Sequence, residues 1–96
     1  MKKNEETMIA IPADPNDPED FDVSVAGLKR AHMGRRFRVL RHKLGVTQEQ
    51  FARSYGIPLH SLRQYEMARY MPPPAVRAYL KVIEAEPEVV KRVVAG

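Results

Sequence analysis

The chain contains no cysteine and only three histidines, His32, His42 and His60. Without cysteine it forms no disulfide and no thiolate-ligated metal site. The histidines lack the spacing of metal ligands and have no carboxylate cluster beside them. There is also no glycine-rich phosphate loop and no histidine–carboxylate pair at catalytic spacing. An enzyme is therefore the function class that the sequence favours least, and we expect neither a cofactor nor a bound metal.

Long apolar runs are absent as well. No stretch approaches the roughly 20 apolar residues that a membrane-spanning helix needs. The charged residues at the start of the sequence are not followed by the apolar segment of a secretory signal. These absences predict a cytoplasmic protein that does not bind membranes. At 96 residues, the chain is long enough for one domain.

Charge is distributed unevenly along the chain. The net charge of +4 arises from 16 basic and 12 acidic residues, but residues 1–22 hold seven of the acidic and only two of the basic ones. This segment therefore carries −5 and the rest of the chain +9. A domain this basic is typical of proteins that bind a polyanion, most often nucleic acid. A solvated basic surface without such a partner would have the same composition.

The composition predicts two parts, a flexible acidic arm over residues 1–24 and a folded domain over residues 25–96. The arm is rich in proline and carboxylates, and it offers little apolar surface to offset the entropy of ordering. A few apolar side chains are nevertheless scattered along it: Met8, Ile9, Ile11, Phe21 and Val23. Two interpretations stay open, a solubilising tail and a segment that folds onto a basic partner.

The first helix is predicted over about residues 24–43. Met33, Phe37, Leu40 and Leu44 recur at the spacing of one helical face. Gly34 is a candidate break, which would make Val25–Met33 a separate short helix or an arm. Gly45 is placed as the C-terminal stop.

Two short helices and a glycine turn follow. Thr47 and Gln50 form a capping box that predicts a helix over about residues 48–54, ended by Gly56. A third helix is predicted over about residues 59–67, with Leu62 and Tyr65 facing inward. Two helices joined in this way are a helix-turn-helix unit.

Prolines mark the starts of the last two helices. Pro74 and Pro87 each suit the first position of a helix. No strand-like alternation occurs, so the fold class is all-α. The valines of the last helix have two interpretations: they close the core against the first helix, or they form a two-fold dimer interface. We favour the dimer, because a helix-turn-helix protein usually reads two half-sites.

The run Leu-Gly-Val-Thr-Gln-Glu-Gln-Phe-Ala over residues 44–52 resembles the Cro/repressor-type (XRE) helix-turn-helix. Gly56-Ile57, Leu62, Tyr65-Glu66 and Pro72 extend the resemblance over about residues 35–72. Residues 75–83 and 86–88 resemble, more narrowly, HigA-type antitoxins.

The resemblance implies a five-helix, lambda-repressor-like domain that binds its operator as a homodimer. The antitoxin resemblance further implies that the protein represses its own operon and neutralises a RelE/HigB-like ribonuclease toxin, with the apolar residues of the arm as candidate toxin contacts. Three alternatives are a stand-alone XRE-type repressor, a protein-interaction module that has lost DNA binding and, least favoured, an enzyme.

The candidate DNA contacts fall into two sets. The side chains expected to read bases from the outward side of the third helix are His60, Ser61, Arg63 and Gln64. The side chains expected near the DNA backbone are Thr47, Gln48, Arg38, Arg41, Lys43 and Arg69. As an alternative, Arg41 or Arg53 pairs with Glu66 inside the domain. Arg35 and Arg36 either bind phosphate or dock the acidic arm.

Two departures from the family pattern affect the third helix. Pro58 stands where the family usually has a serine or threonine cap, and it has no side-chain acceptor. The glycine usual after the aromatic–glutamate pair is missing from the Met67-Ala68-Arg69 stretch. We expect either an alanine at positive φ, at a cost of about 1 kcal/mol, or a different helix end.

Overall fold

The computed structural model describes residues 24–96, and every regular element in that range is an α-helix. The five helices are α1 (Val25–Leu44), α2 (Gln48–Tyr55), α3 (Leu59–Glu66), α4 (Pro74–Ala85) and α5 (Pro87–Ala95). The predicted all-α, five-helix class is confirmed. The five apolar residues of the arm lie outside the described residues. Within residues 24–96, no helix combines the length and the apolar character needed to cross a membrane.

Helix α1 is continuous for 20 residues. The Ser24 hydroxyl caps it by accepting a hydrogen bond from the Gly27 N–H at 3.1 Å. Gly45 ends it in the left-handed conformation, at φ 71°. The predicted break at Gly34 is wrong. A Cβ on Gly34 would lie 2.6 Å from the Tyr65 carbonyl oxygen, so glycine is needed here for the close approach of α1 to α3.

Helix α2 begins at the predicted capping box. The Gln50 N–H donates to Thr47 Oγ1 at 3.1 Å, and the Thr47 N–H donates to Gln50 Oε1 at 2.9 Å. The helix ends at Gly56, which has φ 69°. The Ile57 N–H then donates to the Ala52 carbonyl at 3.0 Å and closes the turn. Both predicted ends of α2 are therefore correct to within one residue.

Helix α3 has an uncapped start and an unusual end. Pro58 is the N-cap residue and makes no side-chain hydrogen bond. Ala68, just past the end, has φ 60° and is the one non-glycine residue at positive φ in residues 24–96. The Ala68 N–H donates to the Tyr65 carbonyl and the Arg69 N–H to the Gln64 carbonyl, both at 3.0 Å. The helix thus ends in a Schellman motif with alanine in the glycine position.

The core contains side chains from all five helices. Phe37 is fully buried; its ring stacks on Tyr65 at 5.7 Å between centroids and meets Phe51 edge-on at 6.4 Å. The buried core residues are Met33, Phe37, Leu40, Phe51, Ala52, Tyr55, Ile57, Leu62, Leu80, Ile83 and Val90. Burial of each large side chain stabilises the fold by roughly 1.5–3 kcal/mol.

Helix α5 packs against α2 and α4. The main partners of α5 are therefore α2 and α4, and its buried Val90 belongs to the same core cluster as the apolar residues of α1. Only Val90 is buried, whereas Val89, Val93 and Val94 are exposed. Most of the valine stripe consequently faces solvent in a single copy of the chain.

Candidate nucleic-acid interface

Helix α3 presents a polar side to solvent. Leu62 is completely buried and fixes the rotation of the helix about its axis. His60 and Arg63 are exposed, and Ser61 and Gln64 are half-buried. All four predicted base-reading residues are therefore on the accessible part of this helix.

A shallow groove runs beside α3. His60, Ser61 and Gln64 line it together with residues of the linker between α3 and α4. One of these linker residues is Tyr70, which is exposed. Sequence reasoning did not select Tyr70, because it lies outside the helix-turn-helix spacing and only the fold brings it to this position. Leu59, the first residue of α3, is half-buried and packs against the core.

Arg63 is paired with a residue of α2. Its Nη2 lies 3.3 Å from Glu49 Oε2, and both side chains are about half exposed. Exposed ion pairs contribute only about 0–1 kcal/mol. The pair therefore orients Arg63 without holding it firmly.

A buried carboxylate stands at the end of α3. Glu66 is 3% exposed. It accepts two hydrogen bonds from Arg41, from Nε at 2.9 Å and from Nη2 at 3.0 Å, and one from Gln48 Nε2 at 3.1 Å. A third Arg41 nitrogen, Nη1, donates to the Val46 carbonyl at 3.2 Å. Of the two arginines proposed as partners of Glu66, the structure places Arg41 there.

Two further arginines of α1 bind carbonyls at the same helix end. Arg38 Nη1 donates to the Glu66 carbonyl at 2.7 Å, and Arg30 Nε donates to the Ala68 carbonyl at 3.1 Å. The Glu66 carbonyl is the last of α3, and such carbonyls carry partial negative charge and have no partner within the helix; the Ala68 carbonyl belongs to the turn that follows. The arginines supply both hydrogen bonds and positive charge there. Together with the close contact at Gly34, they hold α3 rigidly on α1.

The predicted phosphate contacts occupy different places. Thr47 and Gln48 lie at the start of α2, and Arg69 is exposed just after α3. Arg41 is largely buried by its pair with Glu66. Lys43 lines a separate groove with Arg35, Arg36 and Glu84. The structure thus places Gln48 against the C-terminal end of α3, with Thr47 next to it in the chain, but leaves Lys43 in the groove beside α4.

Arg36 is paired with helix α4. Its Nε lies 3.1 Å from Glu84 Oε2 and its Nη2 lies 2.5 Å from Glu84 Oε1. Hydrogen bonding to this carboxylate raises the pKa of Arg36. Of the two residues proposed to bind phosphate or the acidic arm, Arg36 is therefore already engaged within the domain, whereas Arg35 is exposed.

Two tyrosines join α2 to the C-terminal helices. The Tyr55 hydroxyl donates to the Pro87 carbonyl at 3.0 Å, and the Tyr79 hydroxyl donates to the Tyr55 carbonyl at 2.6 Å. Burial raises the pKa of both phenols, and the Glu88 carboxylate adds to the rise at Tyr55. Burial and donation of a hydrogen bond both favour the neutral phenol over the phenolate. These two hydrogen bonds therefore hold the C-terminal end of α2 against α4 and α5.

Comparison with known protein families gives a match. A family model described as a helix-turn-helix domain matches residues 32–93, almost two thirds of the chain. The matched range contains the whole of α2, α3 and α4 and most of α1 and α5. No curated protein and no solved structure matches the chain.

Proposed function

Because the chain belongs to the helix-turn-helix domain family, we propose that it is an XRE-type transcriptional repressor that binds operator DNA sequence-specifically. The observation that carries this proposal is the placement of α3, which is fixed on α1 by the Glu66 network and shows a polar side to solvent. The major groove of B-DNA is about 12 Å wide and admits one helix. Helix α3 enters it with its exposed side toward the bases.

The proposed base contacts follow from side-chain chemistry. Arg63 suits a bidentate contact with guanine O6 and N7, and Gln64 suits adenine N6 and N7. His60 and Ser61, nearer the start of α3, contact neighbouring base edges. Thr47, Gln48 and Arg69 bind phosphates on either side and set the register of the protein on the duplex.

The electrostatic balance supports DNA binding. Residues 24–96 contain 14 basic and only five acidic residues. Three of the five carboxylates are paired with arginine: Glu49, Glu66 and Glu84. The surplus positive charge favours association with a polyanion at any sequence, and base contacts then select the site.

The test is DNA binding by the full chain to its own promoter region. Arg63→Ala should weaken specific binding by about 1–3 kcal/mol and relax the preference for one base pair. Arg53→Ala, which removes an exposed arginine from the neighbouring helix, is the matched control and should leave that preference intact. A gel shift in which the promoter fragment shows no salt-sensitive retardation would instead favour a protein-interaction module.

We propose a homodimer as the binding species. Two half-sites one helical turn apart, about 34 Å, are usually read by two copies of a helix-turn-helix domain. The exposed apolar residues of α4 and α5 offer a two-fold interface: Val82, Val89, Val93 and Val94. Val93→Asp should give a monomer in sedimentation and should abolish cooperative operator binding while leaving the helical content unchanged.

A second proposal is that this repressor is also an antitoxin. It is supported by the resemblance to HigA-type sequences and by the acidic residues 1–22 with their interspersed apolar side chains. Met8, Ile9, Ile11, Phe21 and Val23 are the proposed contacts with a basic ribonuclease toxin. Deletion of residues 1–22 should then abolish neutralisation of the toxin and spare operator binding. If no small basic ribonuclease co-purifies with the protein from its native host, the antitoxin proposal fails and the stand-alone repressor is favoured.

A further inference from the structure

An apolar groove lies at the beginning of α1. The first seven residues of this helix precede the range matched by the helix-turn-helix family. Two of them, Val25 and Leu28, are 70% and 53% exposed. With Met33 and Met71 they form the apolar lining of a groove of about 650 Å³. A space of this size has room for several side chains.

The edge of this groove is basic. Lys29, His32 and Arg77 complete the lining, and none of the described residues that line it is acidic. Arg77 is held in position by donation from its Nη1 to the Pro72 carbonyl at 2.7 Å. The groove therefore fits a peptide that is apolar on one side and acidic on the other.

We propose that this occupant is the segment 19–23 of the same chain, folded back so that Phe21 and Val23 enter the groove. Val23 immediately precedes Ser24, the N-cap residue of α1. An apolar residue at this position commonly packs against the fourth residue of the helix, which is Leu28. The Gly27 N–H donates to the Ser24 hydroxyl, so the N-cap has the backbone arrangement in which the contact between Val23 and Leu28 forms.

The sequence of the segment fits the groove in period and charge. In an extended chain, residues two apart point to the same side, so Phe21 follows Val23 into the groove and Asp20 and Asp22 point away from it. Three residues of extended chain span at most about 11 Å, which is enough for Phe21 to reach the end of the groove formed by the first turns of α1. Residues 1–22 carry a net charge of −5, which adds a general attraction to the basic domain.

We propose this docking for the protein without DNA, and it does not depend on DNA binding. It covers two of the side chains proposed above as toxin contacts. A toxin that uses them displaces the segment from the groove.

The absence of tryptophan from the chain allows a direct test. Phe21→Trp in the full-length protein places a single fluorophore in the segment. Docking predicts emission at shorter wavelength, and weaker quenching by acrylamide, than for the same variant in denaturant. Adding Leu28→Asp should move the emission to longer wavelength and increase the quenching.

The matched control is Val39→Asp, which introduces the same charge on the same helix at a residue of nearly equal exposure, 52%. It should leave the tryptophan emission of the Phe21→Trp variant unchanged, and circular dichroism should show both aspartate variants folded. Solvent-like emission before Leu28→Asp is added, or an equal response to the two aspartates, would overturn the proposal. Emission that depends on protein concentration would overturn it too, because the occupant would then be a second copy.

Discussion

Replacement of Glu66 by glutamine should destabilise the domain severely. The carboxylate is almost completely buried and receives two hydrogen bonds from the Arg41 guanidinium, itself only 14% exposed. Glutamine has nearly the same shape but no charge, and it presents one acceptor oxygen instead of two. The variant would therefore leave the Arg41 cation buried without a counterion.

The size of the effect follows from this burial. Removing one partner of a buried ion pair typically costs about 3–5 kcal/mol. A domain of the size of residues 24–96 has a total free energy of unfolding on the order of 4–11 kcal/mol. At about 4–8 °C of Tm per kcal/mol, Glu66→Gln should lower the Tm by at least about 12 °C. At the lower end of this stability range, the loss leaves much of the protein unfolded at growth temperature.

The assay is thermal and urea unfolding followed by far-UV circular dichroism, without DNA. The double variant Arg41→Met/Glu66→Leu removes both charges and should recover most of the lost stability, since apolar replacements of buried ion pairs are often neutral. Glu84→Gln is the control, because it breaks the more exposed pair with Arg36 and should cost about 1 kcal/mol or less. A loss below about 1 kcal/mol for Glu66→Gln would refute the argument, because a cost that small is typical of a solvated surface pair.

Three other variants test separate parts of the fold. Gly34→Ala should destabilise by about 1–3 kcal/mol in urea unfolding, because the contact of its Cβ with backbone outweighs the higher helix propensity of alanine. Thr47→Ala should cost about 1 kcal/mol through loss of the α2 cap, whereas Thr47→Ser should cost much less. The pKa of Tyr55 and Tyr79 is raised above the ordinary value of 10.0, so the unfolded state loses these protons first as pH rises. Their contribution to stability should be intact below pH 10 and decline above it, and Tyr79→Phe should reduce that decline in unfolding measured against pH.

The helix-turn-helix unit could be predicted closely because its signals are local. The capping box at Thr47 and the left-handed glycine at Gly56 define α2 through hydrogen bonds that span only a few residues. The inward position of Leu62 follows from helical spacing alone. The absence of a glycine after α3 is evident from the sequence too. Of the two expected outcomes, the structure has the strained one, an alanine at positive φ.

Features that depend on contacts between distant residues could not be predicted in this way. Gly34 has the sequence appearance of a helix break, but its role is set by the Tyr65 carbonyl of another helix. The choice of Arg41 rather than Arg53 as the partner of Glu66 likewise depends on how α1 crosses α3. Arginines that bind carbonyls give no pattern of their own in the sequence. The groove that Lys43 lines also becomes evident only when α4 is in position, because Glu84 completes it.

The Glu49–Arg63 pair places an acidic side chain on the proposed DNA-reading surface, and the magnitudes decide whether it obstructs binding. An exposed pair with a separation of 3.3 Å stabilises by at most about 1 kcal/mol. A bidentate contact of arginine with guanine provides about 1–3 kcal/mol of discrimination. At the correct base it is therefore favourable for Arg63 to leave Glu49 and bind guanine. The cost of breaking the ion pair is the same at every base, so Glu49 lowers affinity for the operator and for other DNA alike, and the discrimination comes from the guanine contact. The acidic residue thus reduces affinity by at most about 1 kcal/mol and does not prevent α3 from selecting its base pair.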